Sequence, residues 1–155
     1  MTGSDIKELR SRLYLLCNEF VEMRIQTAQT ALQQAQEAAN DDTKSSAGDK
    51  FETTREMMQQ ELDRNKRLLF DAQMQQNLLR KIESATTSDT VKHGSIIHTS
   101  EGSFFLSISA GQIMANGKGY MAISPASPIG NLFLGKLTGA AFEFNGRNYK
   151  ILEVY

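Results

Sequence analysis

Gly48-Asp49-Lys50-Phe51-Glu52 is the stretch from which the fold of this chain can be read. Long runs of helical periodicity flank it on both sides. Upstream, Ile6, Leu9, Leu13, Leu16, Phe20 and Met23 follow one another at steps of 3, 4, 3, 4 and 3 residues, which is a heptad seam. The seam then thins to Ala28, Ala31, Leu32, Ala35 and Ala38, small residues that let a partner helix come close. Downstream, Met58, Leu62, Asn65, Leu69, Ala72, Gln76 and Leu79 recur at steps of 4, 3, 4, 3, 4 and 3. Ser4 or Asp5 is the expected cap of the first helix. Asn40-Asp41-Asp42-Thr43 should end it, and Ser45-Ser46-Ala47-Gly48 should continue the turn. The second helix is expected from near Asp49 to about Glu83. Two helices joined by so short a polar turn form an antiparallel coiled-coil hairpin with an acidic tip near residues 41–52.

Composition changes partway along. Residues 1–84 hold 10 of the 11 Gln and only two Gly, whereas residues 85–155 hold nine of the 11 Gly and both Pro. A Gln- and charge-rich, Gly-poor half suits long helices, and a Gly-punctuated half suits a sheet. The expected fold class is therefore α+β, with a helical hairpin over 1–84, a polar linker over 85–90 and a small sheet domain over 91–155. Candidate strands are Val91 to His98, Phe104 to Ile108 and Tyr120 to Ile123. A hairpin follows, with Ala141 to Phe144 and Tyr149 to Val154 flanking the Asn145-Gly146 turn. Asn131 to Lys136 reads as a short helix after Pro128.

Charge and cysteine content narrow the function. Seventeen Lys and Arg against 18 Asp and Glu leave a net charge of -1, with no basic excess for a phosphate-binding surface. The apolar runs are too short to span a bilayer, and no apolar segment follows Met1, so no membrane association is expected. The single Cys17 fits a reducing compartment and reads as a small buried hydrophobe. His93 and His98 are an odd number of residues apart, which turns them to opposite faces of a straight strand. Three Gly between Gly111 and Gly119 make no GxGxxG after a strand, so no dinucleotide site is indicated.

Asp49 and Glu52 read in two ways. Asp49 as N-cap and Glu52 three residues on make a capping box, which the helix dipole also favours. Alternatively, the two carboxylates hold a divalent cation. Mg²⁺ takes one or two protein carboxylates and fills its shell with water and phosphate oxygens, so such a tip would act where other oxygen ligands already exist.

Gly48-Asp49-Lys50-Phe51-Glu52, at the apex of an N-terminal helical hairpin, resembles the Gly-Asp-x-x-Glu tip of Gre-family transcription elongation factors. The segment from Ile123 through Ser124-Pro125-Ala126-Ser127-Pro128-Ile129-Gly130 to Gly135-Lys136 resembles that family's Ile-Ser-x-x-Ser-Pro-Leu-Gly-Lys-Ala-Leu-Leu-Gly-Lys segment. A later Gly139 and a terminal hairpin follow in the same order. The resemblance covers nearly the whole chain. It departs from the family at Thr53-Thr54-Arg55-Glu56, where Glu-Asn-Ala-Glu-Tyr is usual, and at Ala126 and Ala140, where acidic residues are usual.

The resemblance implies an FKBP-like second domain and a bacterial, cytoplasmic regulator of RNA polymerase, acting as a monomer without a small-molecule substrate. The turn formed by Ser124, Pro125, Ser127, Pro128, Ile129 and Gly130 would dock on the polymerase, and the coiled coil would enter its secondary channel. Asp49 and Glu52 would help hold a Mg²⁺ shared with the polymerase and assist cleavage of backtracked RNA near its 3′ end. No tightly bound cofactor is expected, and the chain would be no enzyme by itself. Lys44, Lys50 and Arg55 are candidates for RNA phosphate contact, and also read as solvated charges. Two alternatives stay open. One is a channel binder that regulates or inhibits polymerase without cleavage. The other is a coiled-coil oligomeric adaptor, which the polar seam residues Asn65 and Gln76 would suit.

Overall fold

A computed structural model describes the backbone of residues 1–45 and 49–155; the side chains of residues 42–51 lie outside the description. Two long helices, α1 (Gly3–Ser45) and α2 (Asp49–Arg80), precede a six-stranded mixed sheet and a six-residue helix. The fold is α+β, as composition and periodicity imply. Neither described long helix is apolar enough to cross a membrane. The chain forms two compact units, Val21–Gln76 and the remainder, Met1–Phe20 with Asn77–Tyr155. This division cuts through both helices. α2 ends at Arg80 and the first strand begins at Ile96.

α1 opens with a reciprocal cap. The Asp5 N–H donates to Thr2 Oγ1 at 3.1 Å, and the Thr2 N–H donates to Asp5 Oδ2 at 3.0 Å. Thr2 is thus the N-cap and Asp5 its partner three residues on, in place of the expected Ser4 or Asp5 cap. These hydrogen bonds hold the Asp5 carboxyl below its ordinary range. At the other end α1 runs through Asn40-Asp41-Asp42-Thr43 to Ser45, past the expected stop. Four poor helix formers in a row do not break a helix whose length makes each further hydrogen bond cheap to add.

Within the Val21–Gln76 unit, the inward line of α1 is Val21, Ala28, Ala31, Leu32 and Ala35. Met23, expected in the seam, is 70% exposed. The inward line of α2 contains Met58, Leu62, Asn65, Leu69, Ala72 and Gln76, all at least half-buried, as the heptad spacing predicts. Asn65 is buried, and its Nδ2 donates to the Ala31 carbonyl at 3.4 Å. A side-chain amide reaching the facing helix's backbone fixes one register between the two. Arg24 also donates to the Gln75 side-chain oxygen across the pair.

In the other unit, strands β1 (Ile96–Thr99), β2 (Gly102–Leu106), β3 (Gly111–Ala115), β4 (Lys118–Ile123), β5 (Ala141–Phe144) and β6 (Arg147–Val154) lie in the order β3-β4-β2-β1-β6-β5. Only β2 and β4 pair parallel. The expected strand over 91–98 begins late, at Ile96, because Gly94 has φ +97° and turns the chain. An added Cβ there would lie 2.7 Å from Ala85 Cβ, so the backbone also passes too close for a side chain. β3 is a strand not anticipated from the Gly-rich stretch. It joins β4 through Asn116 (φ 54°) and Gly117 (φ 76°), and Asn145 (φ 50°) with Gly146 (φ 76°) joins β5 to β6. Both pairs carry the left-handed dihedrals that a two-residue hairpin needs.

Helix α3 (Pro128–Phe133) delivers Phe133 to the core. Its ring stands 5.0 Å from Phe104 and 4.9 Å, edge-on, from Phe142, with Tyr149 stacked on Phe142 at 5.4 Å. Ile97, Leu106, Ile151 and Val154 complete this side. Ile96 and Phe105, paired with each other, are fully buried on the other side of the sheet by strand alternation. Within this unit the base of α1 meets the sheet segment through Arg10, which donates to the Gly94 carbonyl, and Cys17, which meets Ser107.

Candidate functional site

The structure opens α2 at Asp49. Glu52 and Arg55 are exposed on its first turns, three residues apart and so neighbours on the helix surface. Thr54, one of the residues that depart from the Gre pattern, is half-buried. The side chains of Asp49, Lys44 and Lys50 lie outside the described residues. Among those that are described, no group of three or more His, Cys, Asp or Glu is placed to hold a metal ion. One exposed carboxylate at Glu52 suits a cation that other ligands already hold, and cannot fix Mg²⁺ unaided.

The Ser124–Gly130 turn is described in full. Ser127 is the N-cap of α3, and its Oγ accepts from the Gly130 N–H at 3.1 Å. The same hydroxyl donates to the Ser124 carbonyl at 2.6 Å, and the Ser127 N–H donates to that carbonyl at 3.0 Å. Ser124 Oγ accepts from the Ala126 N–H at 3.1 Å. Pro128 opens the helix, where a missing N–H costs nothing. Gly130 is buried with no room for a side chain: an added Cβ would sit 2.0 Å from the Ser124 carbonyl oxygen. Both serines are thus engaged in holding the turn. Ala126 and Pro128 are its exposed residues, with Pro125 and Ile129 half-buried beside them. The turn offers a partner a rigid, largely apolar knuckle.

The two histidines have separate partners. His93 lies in the turn before β1, where its Nε2 donates to the Ser107 carbonyl at 3.1 Å. His98, in β1, shares a 2.7 Å hydrogen bond between its Nδ1 and Ser103 Oγ. Tyr155 lies edge-on to the His98 ring at 5.5 Å. Burial lowers the pKa of both imidazoles; nearby Lys81 and Lys118 act in the same direction.

Cys17 is fully buried, and burial pushes its thiol up to about 11. A thiol so placed is a core residue rather than a nucleophile.

No protein-family model matches the chain, and no curated protein matches it. The site therefore rests on the residues themselves.

Proposed function

We propose that this chain is a bacterial, cytoplasmic regulator of transcription elongation that binds RNA polymerase and assists cleavage of backtracked RNA. The reading is supported by the Gly-Asp-x-x-Glu motif in the sequence, Gly48 to Glu52, between the runs of α1 and α2, in one chain with the Ser124–Gly130 turn. In this reading the Ser124–Gly130 knuckle docks on the polymerase and the Val21–Gln76 hairpin enters the secondary channel. Glu52, exposed on the first turn of α2, is available to another protein's metal. Asp49 is its expected companion. A shared Mg²⁺ supplies Lewis-acid activation of the attacking water, and the chain's carboxylates contribute oxygen ligands and orientation. Arg55, exposed beside Glu52, and Lys44 and Lys50 are the RNA phosphate contacts of this reading. The sheet domain is taken as FKBP-like without any isomerase activity, since fold does not carry function.

The test is cleavage in stalled elongation complexes, comparing the wild-type chain with Asp49→Ala and Glu52→Ala. The expected result is transcript shortening by the wild type and a loss of at least about tenfold in each variant, with polymerase binding retained. Wild-type binding without cleavage would replace this reading with a second one, a channel regulator that inhibits or pauses polymerase. Thr53-Thr54-Arg55-Glu56 favours that second reading, because Arg55 stands where the family pattern has no cation. A third reading, a coiled-coil adaptor, draws on Phe70 and Met74, one helical turn apart and 59% and 52% exposed on α2. Sedimentation of a stable oligomer at micromolar concentration would favour it over a monomeric channel binder.

A further inference from the structure

Arg10 is a buried cation without a buried anion. The residue is 8% exposed. One terminal nitrogen donates to the Gly94 carbonyl, and the other lies 3.4 Å from Thr87 Oγ1. Both partners are neutral. Among the described residues no carboxylate is paired with Arg10. Burial alone moves its pKa, downward, with no acidic neighbour opposing the shift. Buried charges are ordinarily paired, because desolvating one is costly unless a counter-charge offsets it. Two neutral dipoles satisfy some of the five guanidinium N–H donors and leave the charge itself uncompensated.

Arg10 lines a groove of about 670 Å³ between the start of α1 and the segment over 82–87. That volume lies in the range of small-molecule sites. Lys7, exposed, adds a second cation one turn before Arg10, and Ser11, Ser84 and Thr86 add hydroxyls. Tyr14, Leu15 and Ile82 supply an apolar wall. Glu83 is the one acid in the lining; its field raises the Tyr14 hydroxyl's pKa, after the larger effect of burial. Two cations against one acid leave the groove one negative charge short.

We infer that this groove binds a small ligand with an oxyanion head, carboxylate or phosphate, carried on a compact apolar body. The head pairs with Arg10 and Lys7, and the body lies against Tyr14, Leu15 and Ile82. An Arg fork suits planar or tetrahedral oxyanions, and hydroxyls at the rim add neutral donors. Nothing in this inference depends on polymerase.

The experiment is a titration of the isotope-labelled full-length chain, read by amide NMR shifts, with phenyl phosphate, benzoate and inorganic phosphate as probes. Phenyl phosphate is expected to give saturable shifts confined to residues 7–15 and 82–87. Inorganic phosphate, lacking the body, should bind at least tenfold more weakly. Benzoate binding alongside phenyl phosphate assigns any oxyanion head; phenyl phosphate alone assigns a phosphate. Lys7→Glu reverses an exposed charge without touching the core, so it should keep the wild-type thermal midpoint and weaken phenyl phosphate at least tenfold. Overturning results are no saturable shift with any probe, shifts centred elsewhere, or equal affinity in Lys7→Glu. Inorganic phosphate binding as tightly as phenyl phosphate would also overturn it, reducing the groove to an adventitious ion site.

Discussion

Cys17 Sγ lies 3.6 Å from Ser107 Oγ, and both residues are fully buried although 90 positions apart in sequence. Ser107 is a junction. Its hydroxyl also lies within 3.3 Å of the Phe105 carbonyl, its N–H donates to Ile123 at 2.7 Å, and its carbonyl accepts from His93. The base of α1 is thereby tied to β2 and β4 at one point.

The first prediction concerns this thiol. Raising its pKa from 9.0 to about 11 leaves about a hundredfold less thiolate at neutral pH than a free cysteine carries. Modification by a thiol reagent should be at least that much slower in the native chain than in denaturant. The pH dependence follows from the same shift. The unfolded thiol ionises first, so stability from this group is whole below about pH 9 and declines as pH rises towards about 11. Native and denatured rates that agree at pH 7 would contradict the burial.

The second prediction concerns the Ser124–Gly130 turn. Gly130→Ala forces a methyl to within 2.0 Å of the Ser124 carbonyl oxygen, which is backbone and cannot swing away. The cost should be at least about 2 kcal/mol, the scale of a strained, overpacked core site. Ser127→Ala removes only the cap and should cost about 1 kcal/mol. Urea denaturation of both variants checks the order: Gly130→Ala no worse than Ser127→Ala would mean the turn is looser than its hydrogen bonds indicate.

How far the chain could be read from sequence differs between its two long helices. In α2 the heptad spacing is right at each position from Met58 to Leu79, including the polar Asn65 and Gln76 and the small Ala72. In α1 the pattern leads astray after Leu13. Leu16, Phe20 and Met23 keep perfect spacing, yet Cys17 and Val21 are the fully buried pair, while Phe20 is 36% exposed. Cys17 turns inward to meet Ser107, 90 positions along the chain, and heptad spacing within one helix cannot reveal such a partner. β3 was legible in principle, since Asn116-Gly117 is the same turn signal as Asn145-Gly146. The surrounding glycines obscured it. Arg10 carried no signal: a charge one residue after Leu9 looks solvated until the chain over 87–94 folds against it. Of the candidate site, the Ser-Pro turn could be located by its residues, but its serines' engagement in capping depends on tertiary geometry.

The third prediction tests register in the hairpin. Asn65 is the buried polar residue of the α2 seam, bonded to the Ala31 carbonyl. Asn65→Leu should raise stability, by about 1 kcal/mol, because an apolar residue buries better than a long amide hydrogen bond holds. It should also weaken the choice of one helix pairing, since a buried Asn specifies register at a cost in stability. Sedimentation velocity at micromolar concentration should then show new oligomers absent from the wild type. A variant that is less stable and still of wild-type size would show that Asn65 acts through packing alone.

The fourth prediction is a loss of stability in mild acid. Burial lowers the pKa of His93 and of His98; for His98 the Lys118 charge adds to this, and Glu153 opposes it. A depressed imidazole pKa means the folded chain binds fewer protons than the unfolded one just below pH 6.5. Stability from both groups is therefore full above about pH 6.5 and falls as pH drops towards their folded values. Urea midpoints measured between pH 8 and pH 5 should decline across that window. His98→Gln can keep a hydrogen bond to Ser103 while removing the titration, so its decline should be shallower than wild type. A wild-type midpoint that holds level, or rises, between pH 6.5 and pH 5 would show that the buried imidazoles take up protons without strain.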